Sequence, residues 1–206
     1  MPKLTDIIKA CKKGESSAQC FIYEQFSPKM RALCYRYVRE KQDIEDIMHD
    51  SFLWIFTKID QYKGTGSFEG WMRRIFIGTA IKLIKARSKE SNCFSDAINI
   101  DEINTISIND YIKQNEDIYQ VDFTEEEVID ILQNLPTGYR VIFNLYVFEK
   151  YSHQEIADLL TISVGTSKSQ LYKARKWLQQ KLYESSQAKI TEREKTDYRN
   201  LLRVVI

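Results

Sequence analysis

Asp46, His49 and Asp50 are spaced i, i+3 and i+4, which puts two carboxylates and an imidazole on one side of a helix. Asp43 sits a turn earlier and is expected on the same side. Paired carboxylates can serve as general acid and base, but no pocket chemistry accompanies these. A helix N-terminus favours anions through its dipole, which accounts for Asp43, Glu45 and Asp46. It does not account for Asp50. Carboxylates on a stretch that is otherwise basic suit a basic protein partner.

A second set lies between Ser152 and Leu182. Gly165, Lys168, Ser169, Tyr172, Lys173 and Lys176 recur at helical intervals on one face. Val164, Leu171, Ala174, Leu178 and Leu182 recur on the other and are expected to pack inward. Lysines neutralise phosphates and short polar side chains reach base edges, so the first face suits a DNA major groove. Ser152 with Glu155 forms a capping box for a preceding helix carrying Ile156, Ala157, Leu159 and Leu160. Thr161, Ile162 and Ser163 make the turn, and Ser163 caps the second helix, expected to end near Leu182. This is a helix-turn-helix arrangement. The plain alternative is a packed helical hairpin with a solvated basic face.

The elements that position these sets are helical. Seven Gly and three Pro in 206 residues, with 43% hydrophobic residues, favour a globular helical chain over a sheet with many turns. No apolar run reaches the ~18 residues a membrane span needs, and charges at Lys3, Asp6, Lys9, Lys12 and Lys13 interrupt any signal-peptide core. The cysteines at 11, 20, 34 and 93 form no C-x-x-C pair, and with two histidines they read as free thiols without a zinc site. The net charge of +1 hides an asymmetry. Residues 1–92 carry 17 basic and 11 acidic residues, 93–135 carry 1 and 11, and 136–206 carry 12 and 7. Two basic lobes thus flank an acidic bridge, a pattern that points to polyanion binding at both ends.

In the first lobe the periodicity predicts helices over Leu4–Lys12 and Ser17–Phe26, then a third opened by Pro28 from Lys29 to about Arg39. A fourth is predicted from Asp43 to Ile59 and a fifth from Ser67 to about Arg87. The loop between the last two, Asp60 to Gly66, holds two glycines and a lysine. The fifth helix is apolar on more than one face, with Arg73, Arg74 and Lys82 at its rim. Aromatics beside arginines suit unstacked single-stranded bases. The alternative places Trp71 and Phe76 in the core, and it is the stronger reading for Trp71. Residues 88–122 show no sustained helical period and are rich in Ser, Asn and Asp. They read as an extended linker, either seated in a groove on a partner or serving as a tether.

Two blocks, in order, carry a family resemblance. The first is Asp43 to Phe52 followed by Gly66 to Ile75; the second is Leu135-Pro136, Arg140 to Phe143 and then Ser152 to Leu182. The chain resembles the bacterial RNA polymerase sigma factors of the extracytoplasmic-function (ECF) group of the sigma-70 family. The resemblance implies an all-α fold of two small domains, sigma-2-like (1–87) and sigma-4-like (124–184), joined by an acidic extended linker (88–123). The tail 185–206 stays unassigned. It implies a promoter-recognition subunit without catalytic residues, metal or cofactor, working in the cytoplasm. The implied partners are core RNA polymerase, through its β′ coiled coil and β flap, and promoter DNA. An anti-sigma factor, itself membrane-bound or not, is a further candidate partner; direct membrane insertion is not implied.

Residue by residue, the β′ coiled coil falls to Asp46, His49 and Asp50. The −35 element falls to Gly165, Thr166, Lys168, Ser169, Tyr172, Lys173 and Lys176. The −10 element and its melting fall to Tyr62, Lys63, Thr65, Ser67, Arg73, Arg74, Phe76 and Ile77. Gly78 departs from the Asn of many members, Thr161 from a turn Gly and Gln170 from a common Arg. A homodimeric helix-turn-helix regulator of duplex DNA is the alternative. It needs neither the acidic face nor the aromatic-basic fifth helix. A pure interaction module is a third reading, against which the basic helix speaks.

Overall fold

The computed structural model describes residues 3–87 and 123–205, with side chains as far as Lys189. The expected linker, but for Phe123, and the side chains of the tail beyond Lys189 lie outside the described residues. Every regular element among them is helical. The chain divides between Cys93 and Phe94 into two compact units.

The first unit holds α1 (Leu4–Lys12), α2 (Ser16–Tyr37), α3 (Lys41–Thr57), a 3-10 turn (Ile59–Gln61) and α4 (Phe68–Arg87). α2, α3 and α4 pack on one another, and α1 lies against α2 and the 3-10 turn. Their shared core is built from Ile22, Met30, Leu33 and Tyr37 of α2, Ile44, Ile47 and Ile55 of α3, and Met72, Phe76 and Ile77 of α4. The expected break at Pro28 does not occur, and α2 runs through it. Proline forfeits the bond its N–H would give the Glu24 carbonyl and costs about 3 kcal/mol in a helix interior. Phe26 and Met30 are buried on either side of it, so packing holds the helix together across the gap.

Asp43 also departs from expectation. It is 5% exposed and receives Arg87 Nη1 on Oδ2 at 2.6 Å, tying the start of α3 to the end of α4. Burial, helped by the nearby charges of Asp46 and Glu40, raises its pKa against the opposing pull of Arg87. It braces the unit and takes no part in the exposed acidic face. Cys11, Cys20 and Cys34 are free thiols. Cys34 is wholly buried, and burial pushes its thiol up to about 12.

The second unit holds α5 (Glu125–Gln133), α6 (Thr137–Phe143), a π-helical turn (Asn144–Phe148), α7 (His153–Leu160) and α8 (Val164–Val205). Leu132, Leu135, Tyr139, Ala174 and Leu178 form a core cluster, against which Trp177 packs. Thr124 and Glu127 form a capping box: Thr124 Oγ1 accepts from Glu127 N at 3.3 Å and Glu127 Oε2 from Thr124 N at 2.8 Å. Four acidic residues counted in the bridge, Glu125, Glu126, Glu127 and Asp130, therefore belong to α5. α8 does not end near Leu182. Neither Gly nor Pro occurs after Gly165, so nothing local stops the helix. Lys189 then donates to Glu127 Oε2 at 2.6 Å, fastening the extension to α5.

Candidate nucleic-acid and partner interfaces

The helix-turn-helix is set by side chains at its corners. Ser152 Oγ accepts from Glu155 N at 3.2 Å, and Glu155 Oε2 accepts from Ser152 N at 2.8 Å. Thr161 ends α7 in the left-handed region at φ 63°, and Ile162 N returns to the Ala157 carbonyl at 3.0 Å. A β-branched residue holds that conformation at a cost of about 1–2 kcal/mol. Ser163 Oγ accepts from Thr166 N at 2.9 Å and caps α8.

On α8, Leu171, Ala174 and Leu178 are buried, while Val164 and Leu182 are half-buried. Gly165, Lys168 and Tyr172 are exposed, Tyr172 by 68%. Thr166, Ser169, Lys173 and Lys176 are half-buried beside them. Two hydroxyls already have work. Thr166 Oγ1 is 2.9 Å from Ser163 Oγ, and Ser169 Oγ donates to the Thr166 carbonyl at 3.1 Å. Ser169 therefore meets an approaching ligand as an acceptor.

Sequence reasoning missed the polar layer beneath this face. Ser167 and Gln170 are buried, and Ser167 Oγ lies 3.0 Å from His153 Nδ1. The His153 ring stacks on Tyr146 at 4.6 Å. Burial, then the positive charges of Lys168 and Arg175, lowers its pKa. Ser167 lies 14 positions from His153, across the turn, so no local spacing announces the pair.

The first unit presents a different surface. Arg87 occupies Asp43, and Arg31 grips Glu45 with Nη2 on Oε2 at 3.1 Å and a second, shorter bond from Nη1. The α3 carboxylates left over are Asp46, half-buried beside Gln42 at 2.9 Å, and Asp50, exposed with His49. The stripe continues into Leu53, 59% exposed, and Trp54, 40% exposed. Both were missed. They fall in an unbroken apolar run, Phe52 to Phe56, of which the spacing assigns Phe52 and Ile55, with Ile44, Ile47 and Ile59, to the packed side, and those five are buried.

The loop 62–67 turns on Gly64 and Gly66, at φ 79° and 82°. Tyr62 donates its hydroxyl to the Gly66 carbonyl at 2.8 Å, and its ring meets Phe68 at 5.1 Å and Trp71 at 5.5 Å. Ser67 Oγ accepts from Gly70 N at 3.0 Å and opens α4. Lys63, Thr65 and Ser67 are exposed, Tyr62 half-buried. A groove of about 750 Å³ runs between this loop, α1, α2 and the start of α4.

Arg74 is exposed and Arg73 half-buried. Phe76 and Ile77 are corrected: at 0% and 2% exposure they are core, because they lie on the side of α4 that faces α2 and α3. Their rings and methyls are not available to bases. Trp71 is the reverse case. It was expected in the core but is half-buried, its ring 6.1 Å from Trp54.

Comparison with known proteins matches residues 22–90 to sigma-70 region 2 and residues 125–178 to sigma-70 region 4. The chain is 27% identical over 186 residues to the ECF RNA polymerase sigma-E factor of Haemophilus influenzae, covering 87% of this chain and 96% of that protein. It is 24% identical over 183 residues to the ECF RNA polymerase sigma-E factor of Escherichia coli K12, covering 87% and 95%. Among solved structures it is similar to CnrH in complex with the cytosolic domain of CnrY, at 16% identity and a TM-score of 0.47, over 86% of this chain and 96% of that one. α1 and the part of α8 beyond residue 178 fall outside the matched regions.

Proposed function

From a chain that belongs to the ECF group of the sigma-70 family of RNA polymerase sigma factors, we infer an initiation factor that brings core polymerase to promoters and contacts them at two elements. The second unit reads the −35 element with the outward face of α8. Lys168, Lys173 and Lys176 take phosphates, while Ser169 and Tyr172 reach base edges, with Gly165 and Thr166 allowing close approach at the helix start. Ser169, with its proton engaged, accepts from an exocyclic amino group of adenine or cytosine.

The first unit docks on core polymerase through Asp46, His49 and Asp50, extended by Leu53 and Trp54. A charged stripe running into exposed apolar side chains is the composition of a protein interface. The groove beside loop 62–67 holds bases of the melted −10 element, with Lys63, Thr65, Ser67 and Arg74 on the backbone path. The partners are core polymerase, at the β′ coiled coil and β flap, and promoter DNA. An anti-sigma factor is a further partner of this class. The chain supplies no reaction of its own and works in the cytoplasm, beside the polymerase.

The observation that carries this reading is the order of its two surfaces. A carboxylate face with no bonded partner for Asp50 among the described residues precedes a basic reading helix capped at both corners of its turn. In vitro transcription with bare core polymerase on a promoter library tests it. The chain should select promoters sharing −35 and −10 sequences. Replacing 62–67 by a neutral linker should preserve closed complexes and abolish permanganate-reactive thymines near −10. Failure to direct core to any promoter would overturn the reading.

A further inference from the structure

Two glycines in the left-handed region leave loop 62–67 many conformations of its own. Three side-chain hydrogen bonds hold the observed one, beside the main-chain bond from Tyr62 N to the Ile59 carbonyl at 3.1 Å. Tyr62 Oη spans the loop to the Gly66 carbonyl, and Ser67 Oγ fixes its exit at Gly70 N. The third comes from another element: Lys12, the last residue of α1, donates Nζ to the Tyr62 carbonyl at 3.0 Å. That bond fixes the main chain of the residue whose ring forms the loop-side wall of the groove. α1 supplies the facing wall with Ile8 and Lys9. It lies outside the region-2 match, which begins at residue 22.

We propose that Lys12 is a positioning residue for strand opening: by holding the Tyr62 carbonyl it keeps the groove between α1 and the loop shaped for an unstacked nucleobase. The proposal rests on the reading of this loop as the base-holding site. The groove is lined by the half-buried Tyr62 ring, backed by the buried Phe26 and Phe68, so Tyr62 is the ring of the three on which a base can stack in a sequence-tolerant way. Without the Lys12 bond the Tyr62 carbonyl loses its tie to α1 and only the N–H bond to the Ile59 carbonyl holds that main chain, so the ring can shift on Phe68 and Trp71. The pocket must then be rebuilt at the moment a base arrives, and ordering that is deferred to the binding step slows it. Lys9 lines the same groove without a bond to the loop, so its charge serves a phosphate and leaves the loop shape alone.

The test uses the full chain with core polymerase and three variants, Lys12→Met, Lys12→Arg and Lys9→Met. Closed-complex affinity is measured across salt, and the rate of opening is followed by permanganate reactivity. Lys12→Met should slow opening about tenfold, the equivalent of about 1.4 kcal/mol, at an unchanged closed-complex salt slope. Lys12→Arg, which can still donate to the carbonyl, should open within about twofold of wild type. Lys9→Met should weaken the closed complex and lower the salt slope by about one, with opening unchanged. Opening at the wild-type rate by Lys12→Met, or a salt slope lowered alike by Lys12→Met and Lys9→Met, would overturn the proposal. Normal opening by the chain whose loop is replaced would remove the base-holding reading beneath it.

Discussion

The two units place their charges differently, although the second also spends Lys189 on Glu127. In the first, many charged side chains are spent on the unit itself: Arg87 on Asp43, Arg31 on Glu45, Lys29 on Glu69 at 2.8 Å and Lys12 on the Tyr62 carbonyl. What remains for a partner is a narrow set on α3 and a groove beside a glycine loop. In the second unit the reading face keeps Lys168 and Tyr172 exposed, and the shape is fixed by caps, a left-handed turn and a small apolar cluster. Exposed ion pairs are worth about 0–1 kcal/mol each, so the Arg31–Glu45 and Lys29–Glu69 braces are individually weak and adjustable, while the buried Asp43 depends on Arg87. Caps contribute about 1 kcal/mol each and fix direction. On the proposed reading, the unit that holds displaced bases is braced by bonds that can be traded, and the unit that lies on an intact duplex is set before it arrives.

The contrast is broken most severely by charge reversal. Asp46→Lys with Asp50→Lys should reduce binding to core polymerase about 100-fold or more, since like charges brought together at an interface cost several kcal/mol. Circular dichroism should be unchanged, because neither carboxylate braces the fold. Core binding within a few-fold of wild type would show that the face has another use.

On the other unit, Tyr172→Ala or Ser169→Ala should change the selected −35 sequence, with discrimination falling by about 1–3 kcal/mol at one position. Lys168→Ala and Lys173→Ala should weaken all promoters alike and lower the salt slope by about one each. Selections identical to wild type for all four variants would move the reading face elsewhere.

A smaller effect sharpens the claim that the turn is fixed in advance. Thr161→Gly should stabilise the second unit by about 0.5–1 kcal/mol, the relief of a left-handed β-branched residue less the extra freedom of unfolded glycine. Thermal unfolding measures it. A lower melting temperature would mean that the threonine methyl or hydroxyl holds more than the strain costs.

The smallest effect is a pH dependence. The unfolded His153 ring takes a proton near its ordinary 6.5, and the folded ring only at lower pH. Stability of the second unit should therefore be full above about pH 6.5 and decline as pH falls through that value toward the folded pKa. His153→Asn should flatten the decline between pH 7.5 and 5.5. The first unit, on the same scale, should not follow this profile.

How much was legible in the sequence follows the same division. The capping box at Ser152, the turn at Thr161 and the Ser163 cap are local, so residues three or four apart sufficed to find them. The capping box at Thr124 was equally readable and was overlooked, which left four carboxylates in the bridge. The first unit depends on distant pairs. Asp43 and Arg87 are 44 positions apart, and nothing in the local spacing distinguishes Asp43 from Asp46. Periodicity showed that α4 has two apolar faces but could not say which meets α2 and α3, so Phe76 and Trp71 were exchanged. Pro28 was read by its local rule, and burial on either side overrode it.

The packing of α2 has a consequence for thiol chemistry. Only a thiolate attacks an oxidant or an alkylating agent at a useful rate. Cys34, held near 12 by burial, stays protonated, and burial also raises Cys11. Cys20 is exposed, but its Sγ donates to Glu24 Oε1 at 3.4 Å, and that carboxylate raises it as well. None of these three is tuned as a peroxide sensor. Cys20 alone among them is open to a maleimide, which makes it a ready attachment point for a fluorophore on the first unit.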